Sequence, residues 1–345
     1  QVEERSVEVM QDFDITIEDM EANRATIKPD SPFHFFKRFG HTFTEAITFD
    51  PVAKAELRLE HANDYLAETI QMIEEDGMEN VNHGAVANAI QRYESKLGQI
   101  TGQIEDVKAE KETQTEAVDT FLDDLIDKQL KQQKVLANIT EDVIDVKETS
   151  AATGEEVNIA IEQIISTVED VKGEVLTSFT DVLSGVEDTP ETMATRLSTV
   201  MDGQVGSDFK HLKNLEILES VFEKVPETAK EAIAAARDNT IQKFEIRIST
   251  LPPAIRAEKF ESYIEHATVD ETRLVALLDE LKQSTGIPAD ILEKLEEAKE
   301  IAVRKFEQRL DFIDDFEVEQ RYFDRFNSDG VDGLIAMEEF SNRMS

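Results

Sequence analysis

Between Val118 and Leu183 the chain carries two apolar stripes at helical spacing. Val118, Leu122, Leu125, Leu136, Ile139, Val143 and Val146 share one three-four alternation, and Gln129 and Gln132 stand in the two places where it lapses. Val157, Ile161, Ile164, Val168, Val171 and Val175 repeat the pattern without a gap. Such a seam lines one side of a helix and asks for a partner helix. The register slips by one residue at Ser150-Ala-Ala-Thr-Gly154, where the glycine is a natural stop. The pattern predicts two helices folded back on each other as a coiled-coil-like antiparallel hairpin, a stalk roughly 45–50 Å long at 1.5 Å rise per residue. If the helix instead runs unbroken through Gly154, the seam pairs one chain with another.

On the N-terminal side, Val7, Met10, Phe13 and Ile15 give residues 1–28 a weak amphipathic pattern, a lead-in segment ended by Pro29-Asp-Ser-Pro32. Phe33, Phe35, Phe36, Phe39, Phe43 and Ile47 then fall on a predicted helix of about four turns. Its rings are most simply a core plug, with a ligand groove as the alternative. Phe49-Asp-Pro51 is a helix start: Asp50 can accept from first-turn N–H groups, and Pro51 loses no bond at the first position. The helix is expected to continue through Ala53, Leu57, Ala62, Leu66, Ile70 and Ile73 to Gly77. A further helix after Gly84 runs through Val86, Ile90, Tyr93, Leu97 and Ile100 toward Lys111. Residues 29–112 are read as a small helical bundle and 113–187 as the hairpin.

Past the hairpin, Pro190 opens a helix to about 201, and Gly203 and Gly206 mark a joint. An internal repeat follows. Val225-Pro226 and Ile287-Pro288 each open a helix, ending in Ile241-Gln-Lys-Phe-Glu-Ile-Arg-Ile248 and Val303-Arg-Lys-Phe-Glu-Gln-Arg-Leu310. The offset is 62 residues throughout, each copy is preceded by a Leu-rich helix (209–223 and 271–283), and Pro252-Pro253 separates them. Two copies are too few for a solenoid, so stacked pairs or a four-helix bundle are expected over 188–312. The fold class is therefore all-α and elongated, with the long antiparallel helical hairpin between an N-terminal helical bundle and a C-terminal helix-pair repeat, and with residues 313–345 as a separate segment.

Three clusters, Pro29-Asp-Ser-Pro32 with Phe36-Lys-Arg38, Thr48-Phe-Asp-Pro51, and Ala55-Glu-Leu-Arg-Leu-Glu60 with Leu66-Ala-Glu68, carry a resemblance. Over residues 25–110 the chain resembles an uncharacterised helical domain found in many proteins of archaea and bacteria that are predicted to be exported, a domain of unknown function. The resemblance implies export and an all-helical surface or periplasmic setting, and it implies no catalytic residues.

Composition sharpens this picture. Aromatics are 7% and Trp is absent, with 13 Gly and 8 Pro in 345 residues, which suits long helices rather than sheets. Acidic residues outnumber basic ones 75 to 36, for a net charge of −39. That field repels phosphate backbones and argues against a nucleic-acid partner. It suits divalent cations, basic partners or simple solvation. The chain has no Cys, which excludes disulfides and thiolate chemistry, and no apolar run of membrane-spanning length.

The C-terminal segment holds the one ligand-type motif. Asn327-Ser-Asp-Gly-Val-Asp-Gly-Leu-Ile-Ala-Met-Glu-Glu339 resembles an EF-hand calcium loop, with Tyr322, Phe323, Phe326 and Phe340 as flanking apolar positions. Calcium takes six to eight oxygens, so such loops alternate short acids, bend at a Gly and close on a bidentate Glu. Gly333, Ile335 and Glu339 match the second half. The first half is one residue too long, with Val331 as the insertion. Asn327, Asp329, Asp332, the Leu334 carbonyl and Glu339 form the candidate Ca²⁺ ligand set, with Glu338 replacing Glu339 if the register shifts. A relic or an Asx-turn connection is the alternative.

No zinc-protease, phosphate-loop, nucleophile-elbow or di-iron motif is present. His34 and His41 sit two turns apart without a third ligand, and His61, His83, His211 and His266 are scattered. Asn138-Ile-Thr140 fits a glycosylation sequon but lies inside a predicted helix. The expected function is that of a non-enzymatic, exported or cell-surface helical scaffold with protein partners or self-association. A sensory or ligand-binding domain with a pocket near Phe33–Phe43 is the alternative, and a carboxylate-based metal enzyme is a third.

Overall fold

The computed structural model describes residue 17, residues 44–149 except 79, 155–185, 189–204, 210–222, 224–266, 274, 277, 278, 281–283 and 286–312. Among these residues the protein is all-helical, without a strand. The helices are α1 (Pro51–Asp76), α2 (His83–Thr101), α3 (Ile104–Ala109), α4 (Thr115–Thr149), α5 (Glu155–Gly185), α6 (Pro190–Gly203), α7 (Lys210–Phe222), α8 (Glu227–Thr250), α9 (Pro253–His266) and α10 (Ala289–Phe312). The chain divides into two compact units. One holds Ile15–Gln204 with Val225–Ala229; the other holds Val205–Lys224 and Lys230–Ser345 with Gln1–Asp14.

The first unit is built on four long helices. Asp50 caps α1, accepting from the Ala53 N–H at 2.8 Å, with Pro51 at the first position. Its other oxygen accepts from the Gln114 amide at 2.9 Å, which ties the start of α1 to the start of α4. These two hydrogen bonds, from the Ala53 backbone and from Gln114, hold the Asp50 carboxyl below the usual range. Gly77 stops α1 at φ +71°, a conformation that a side chain would strain. Asn82 caps α2 by accepting from Ala85 N–H at 3.1 Å, so α2 begins at His83, just before the expected Gly84. The helix expected to reach Lys111 breaks at Gly102 and resumes as α3 and a 3₁₀ turn at Glu110–Glu112.

Side-chain bonds fix the directions. Gln129 on α4 donates to Ser178 on α5 at 2.6 Å, and Gln133 donates to the Lys172 carbonyl at 2.8 Å. As α4 numbers rise, α5 numbers fall, so the two helices are antiparallel. Asp50–Gln114 and Asn63–Gln132 rise together, so α1 and α4 are parallel. Helix α1 packs on α2, α2 on α5, α5 on α4 and α4 on α1. The result is a closed ring of four helices, and α4 with α5 is half of it. Helix α6 lies along α4, with Arg196 bonded to Asp119 and Asp123 and Gln204 to Asp127.

Burial follows this ring. Val118, Leu122, Leu125, Leu136, Ile139, Val143 and Val146 are all buried, as are Ile161, Ile164, Val168, Val171 and Val175. Phe121, Ile126, Leu130, Val135 and Ala137 are buried as well, so α4 is covered well beyond one stripe. On α1 the inward row is Val52, Ala55, Leu59, Ala62 and Leu66; of the expected row, Ala53 is exposed and Leu57, Ile70 and Ile73 only half-buried. The inward row keeps a three-four spacing, whereas the expected row breaks it at the five-residue step from Leu57 to Ala62. From His61 to Thr69 every residue of α1 is buried, because α2 and α4 both pack on that helix. Truncating one such side chain, for example Leu66→Ala, should cost about 2–5 kcal/mol.

In the second unit the 62-residue repeat recurs in burial. Leu212 and Leu274, Leu215 and Leu277, Ile233 and Leu295, and Ala236 and Ala298 are buried pairwise. Helix α9, between the Pro252-Pro253 break and His266, is an element that the helix-pair reading lacks. It buries Phe260, Tyr263 and Ile264, and Arg256 on it grips Asp290 of α10 through two bonds of 2.5 and 2.6 Å. The Glu245 carboxylate, from the Lys-Phe-Glu-x-Arg segment of α8, lies against Gly286 in the turn before α10, where a Cβ would require it to move.

Candidate functional site

The calcium ligand set Asn327, Asp329, Asp332, Leu334 and Glu339 lies outside the described residues, as do the Phe33–Phe43 cluster, His34, His41 and the 150–154 stop. Ile47 and Phe49 are described and are exposed. Among the described residues no three His, Asp or Glu side chains are grouped to hold a metal ion. The sequon at Asn138 sits within α4, where the Thr140 hydroxyl is buried and donates to the Leu136 carbonyl at 3.0 Å.

The polar groups that the helices do bring together lie in and beside the four-helix ring. Gln129 and Gln132, the two lapses in the α4 stripe, are buried at 1% and 0% exposure. Gln132 donates to Asn63 of α1 at 2.8 Å and accepts from the Tyr93 hydroxyl of α2 at 2.8 Å, which joins three helices at one amide. Burial pushes the Tyr93 phenol well above its usual range, so it remains a neutral donor. Lys134 donates to Gln204 at 2.9 Å, and Lys172 pairs with Glu169 at 3.1 Å. An amide inside an apolar seam weakens hydrophobic burial, but a bonded one selects the pairing of helices, since a slipped register strands it.

A charged cluster stands beside this network. Glu45, in the helical turn at 44–47, is buried. Its Oε1 meets His61 Nδ1 at 2.7 Å and accepts from Lys96 of α2, while Arg58 Nε lies 3.4 Å from Oε2. Burial works to raise the Glu45 carboxyl, but the hydrogen bonds and charges of Lys96 and His61 outweigh it and hold the group below its usual range. The carboxylate stays ionised and pins the segment before α1 to both α1 and α2. Nearby charge of like sign has the opposite effect. Burial raises Glu56, with Asp124 and Asp50 adding to it, and burial raises Glu94, with Glu174 adding to it.

Sequence reading passes over this cluster because Glu45, Arg58, His61 and Lys96 are ordinary residues spread over 52 positions. The available signal was the presence of His61, Asn63, Asp64 and Glu68 around the Ala62–Leu66 row, where a one-sided amphipathic helix would leave an exposed face.

A family model for a domain of unknown function, DUF5667, matches residues 26–303. No curated protein and no solved structure matches the chain. The match extends far past the 25–110 stretch on which the resemblance rests, and the ring explains why. Helices α1 and α2 are only half of a bundle that α4 and α5 complete, so the shorter stretch has no closed core of its own. With well over half of its length inside the match, the chain belongs to the DUF5667 family of helical domains.

Proposed function

We propose that the protein is a non-enzymatic helical scaffold or interaction module of the cell surface, exported, stabilised by calcium and able to self-associate. The observation that carries this reading is how the interior polar groups are used. Gln132 bonds to both Asn63 and Tyr93 and so joins three helices, while Gln129 with Ser178 and Gln133 with the Lys172 backbone join α4 to α5. Such bonds set which helix faces which, the task of a framework that must keep one shape. The 62-residue repeat supports the same reading, since repeats present similar surfaces at intervals. No helix among the described residues is long and apolar enough to cross a membrane, which is compatible with a domain that acts at a surface without entering the bilayer.

The calcium part of the proposal rests on Asn327, Asp329, Asp332, the Leu334 carbonyl and Glu339 in a chain of net charge −39. Extracellular modules of this kind fill at roughly 10⁻⁴–10⁻³ M calcium. Calcium should therefore raise the melting temperature of the full chain, and Glu339→Gln should remove most of that rise. A melting temperature indifferent to calcium in the unsubstituted chain would refute calcium stabilisation.

A further inference from the structure

The cluster around Glu45 is unbalanced in charge. Arg58 and Lys96 both have Glu45 as their ion-pair partner, and neither meets a second carboxylate among the described residues. Two cations at 16% and 14% side-chain exposure thus share one anion, in a protein whose acids outnumber its bases two to one. The donors are not all engaged either. Arg58 reaches Glu45 through Nε alone at 3.4 Å and gives Nη1 to the Gln99 carbonyl at 3.2 Å, while its Nη2 meets no acceptor among the described residues. A guanidinium recognises an oxyanion best through two parallel N–H groups, and Glu45 does not use that fork. Lys96 has three N–H donors, and among the described residues it reaches, besides Glu45, only the Gln99 side-chain oxygen, at 3.5 Å.

We propose that Arg58 and Lys96 form a binding site for a small oxyanion from solution, phosphate or a carboxylate, with Glu45 as the chain's own competing occupant. Partly buried cations are screened less by water and salt than surface ones, so an anion that reaches them gains more. The long-range field of the acidic protein opposes anions of every kind, which leaves short-range geometry to select the ligand. Glu45 limits the affinity because its charge is already in place. The site stands independently of the scaffold reading.

Calorimetric titration of the full chain with inorganic phosphate, at constant ionic strength in chloride, tests the assignment. Phosphate should bind the unsubstituted chain weakly. Glu45→Gln keeps the side-chain shape and removes the competing charge, so it should bind at least about tenfold more tightly. Arg58→Lys keeps the charge but loses the fork, and in the Glu45→Gln background it should lose most of that gain. Acetate should show the same order of affinities. Equal phosphate affinity in Glu45→Gln and the unsubstituted chain overturns the proposal, and so does an Arg58→Lys change without effect. Thermal melts give a reading that does not depend on a folded Glu45→Gln protein. Phosphate should raise the melting temperature of the unsubstituted chain more than chloride does at equal ionic strength, and Arg58→Lys should abolish the difference. Identical shifts in both proteins overturn the site.

Discussion

Tyr93 donates its hydroxyl to the Gln132 amide oxygen at 2.8 Å, across the ring from α2 to α4, and both residues are at 0% exposure. The same Gln132 amide donates to Asn63. One side chain therefore joins three of the four helices, at a position where the apolar stripe of α4 lapses. Tyr93→Phe should lower the unfolding free energy by about 1–2 kcal/mol, since it leaves the Gln132 oxygen unpaired in dry surroundings. Gln132→Leu strands both Asn63 and Tyr93, and should cost about 2–4 kcal/mol. In the double variant the second change should cost less than it does alone, because the bond is already gone. Urea denaturation of the four proteins measures this, and strictly additive losses would mean that the bond contributes no coupling.

Glu45 gives the fold an acid-sensitive contact. Its carboxyl in the folded chain lies below the 4.5 of an unperturbed Glu. As pH falls, the unfolded chain takes up this proton first. The contribution of Glu45 is therefore fully present above about pH 4.5 and is lost as pH falls through the lower, folded value. Glu45→Gln should flatten the stability profile in that acid window. At neutral pH it should cost about 2–4 kcal/mol, because Arg58 and Lys96 lose their anion. An unchanged acid slope in the variant would show that Glu45 is not the titrating group.

Gly286 and Glu245 test the link between the repeat copies. The Glu245 carboxylate occupies the space that a Cβ on Gly286 would need. Gly286→Ala should cost less than about 1 kcal/mol, because Gly286 is exposed and the flexible end of the Glu245 side chain can move aside. Adding Glu245→Ala should restore part of the loss by clearing the space. A double variant no more stable than Gly286→Ala alone would place the difficulty in the backbone rather than in Glu245.

Asn214 on α7 is fully buried, and among the described residues neither its amide nitrogen nor its oxygen has a partner. The repeat places Ala276 at the equivalent position, 62 residues on. Asn214→Ala should leave stability unchanged or raise it by up to about 1–2 kcal/mol, because it removes two polar groups that gain nothing from burial. A loss of more than about 1 kcal/mol in thermal or urea unfolding would contradict this.

Apolar spacing revealed most of the helices but not their surroundings. The α4 and α5 stripes, the Asp50-Pro51 start, the Gly77 stop and the Pro190 start are local matters of capping and periodicity, and they stand where the residues indicate. What spacing does not encode is the number of neighbours a helix has. The α4 stripe implies one partner; Phe121, Ile126, Leu130 and Val135, off that stripe, are buried because α1, α5 and α6 all pack on α4. On α1 it is the strict three-four row of Val52, Ala55, Leu59, Ala62 and Leu66 that turns inward, rather than the expected row through Ala53 and Leu57. The Glu45 cluster joins residues from three elements, and no local pattern ties Glu45 to Lys96, 51 positions apart.

Light scattering on the full chain, over a concentration series in about millimolar calcium and then in excess EDTA, tests the scaffold reading most directly. The account predicts a mass that grows with concentration in calcium and falls toward one chain in EDTA. A single-chain mass at every concentration in both solutions would contradict it.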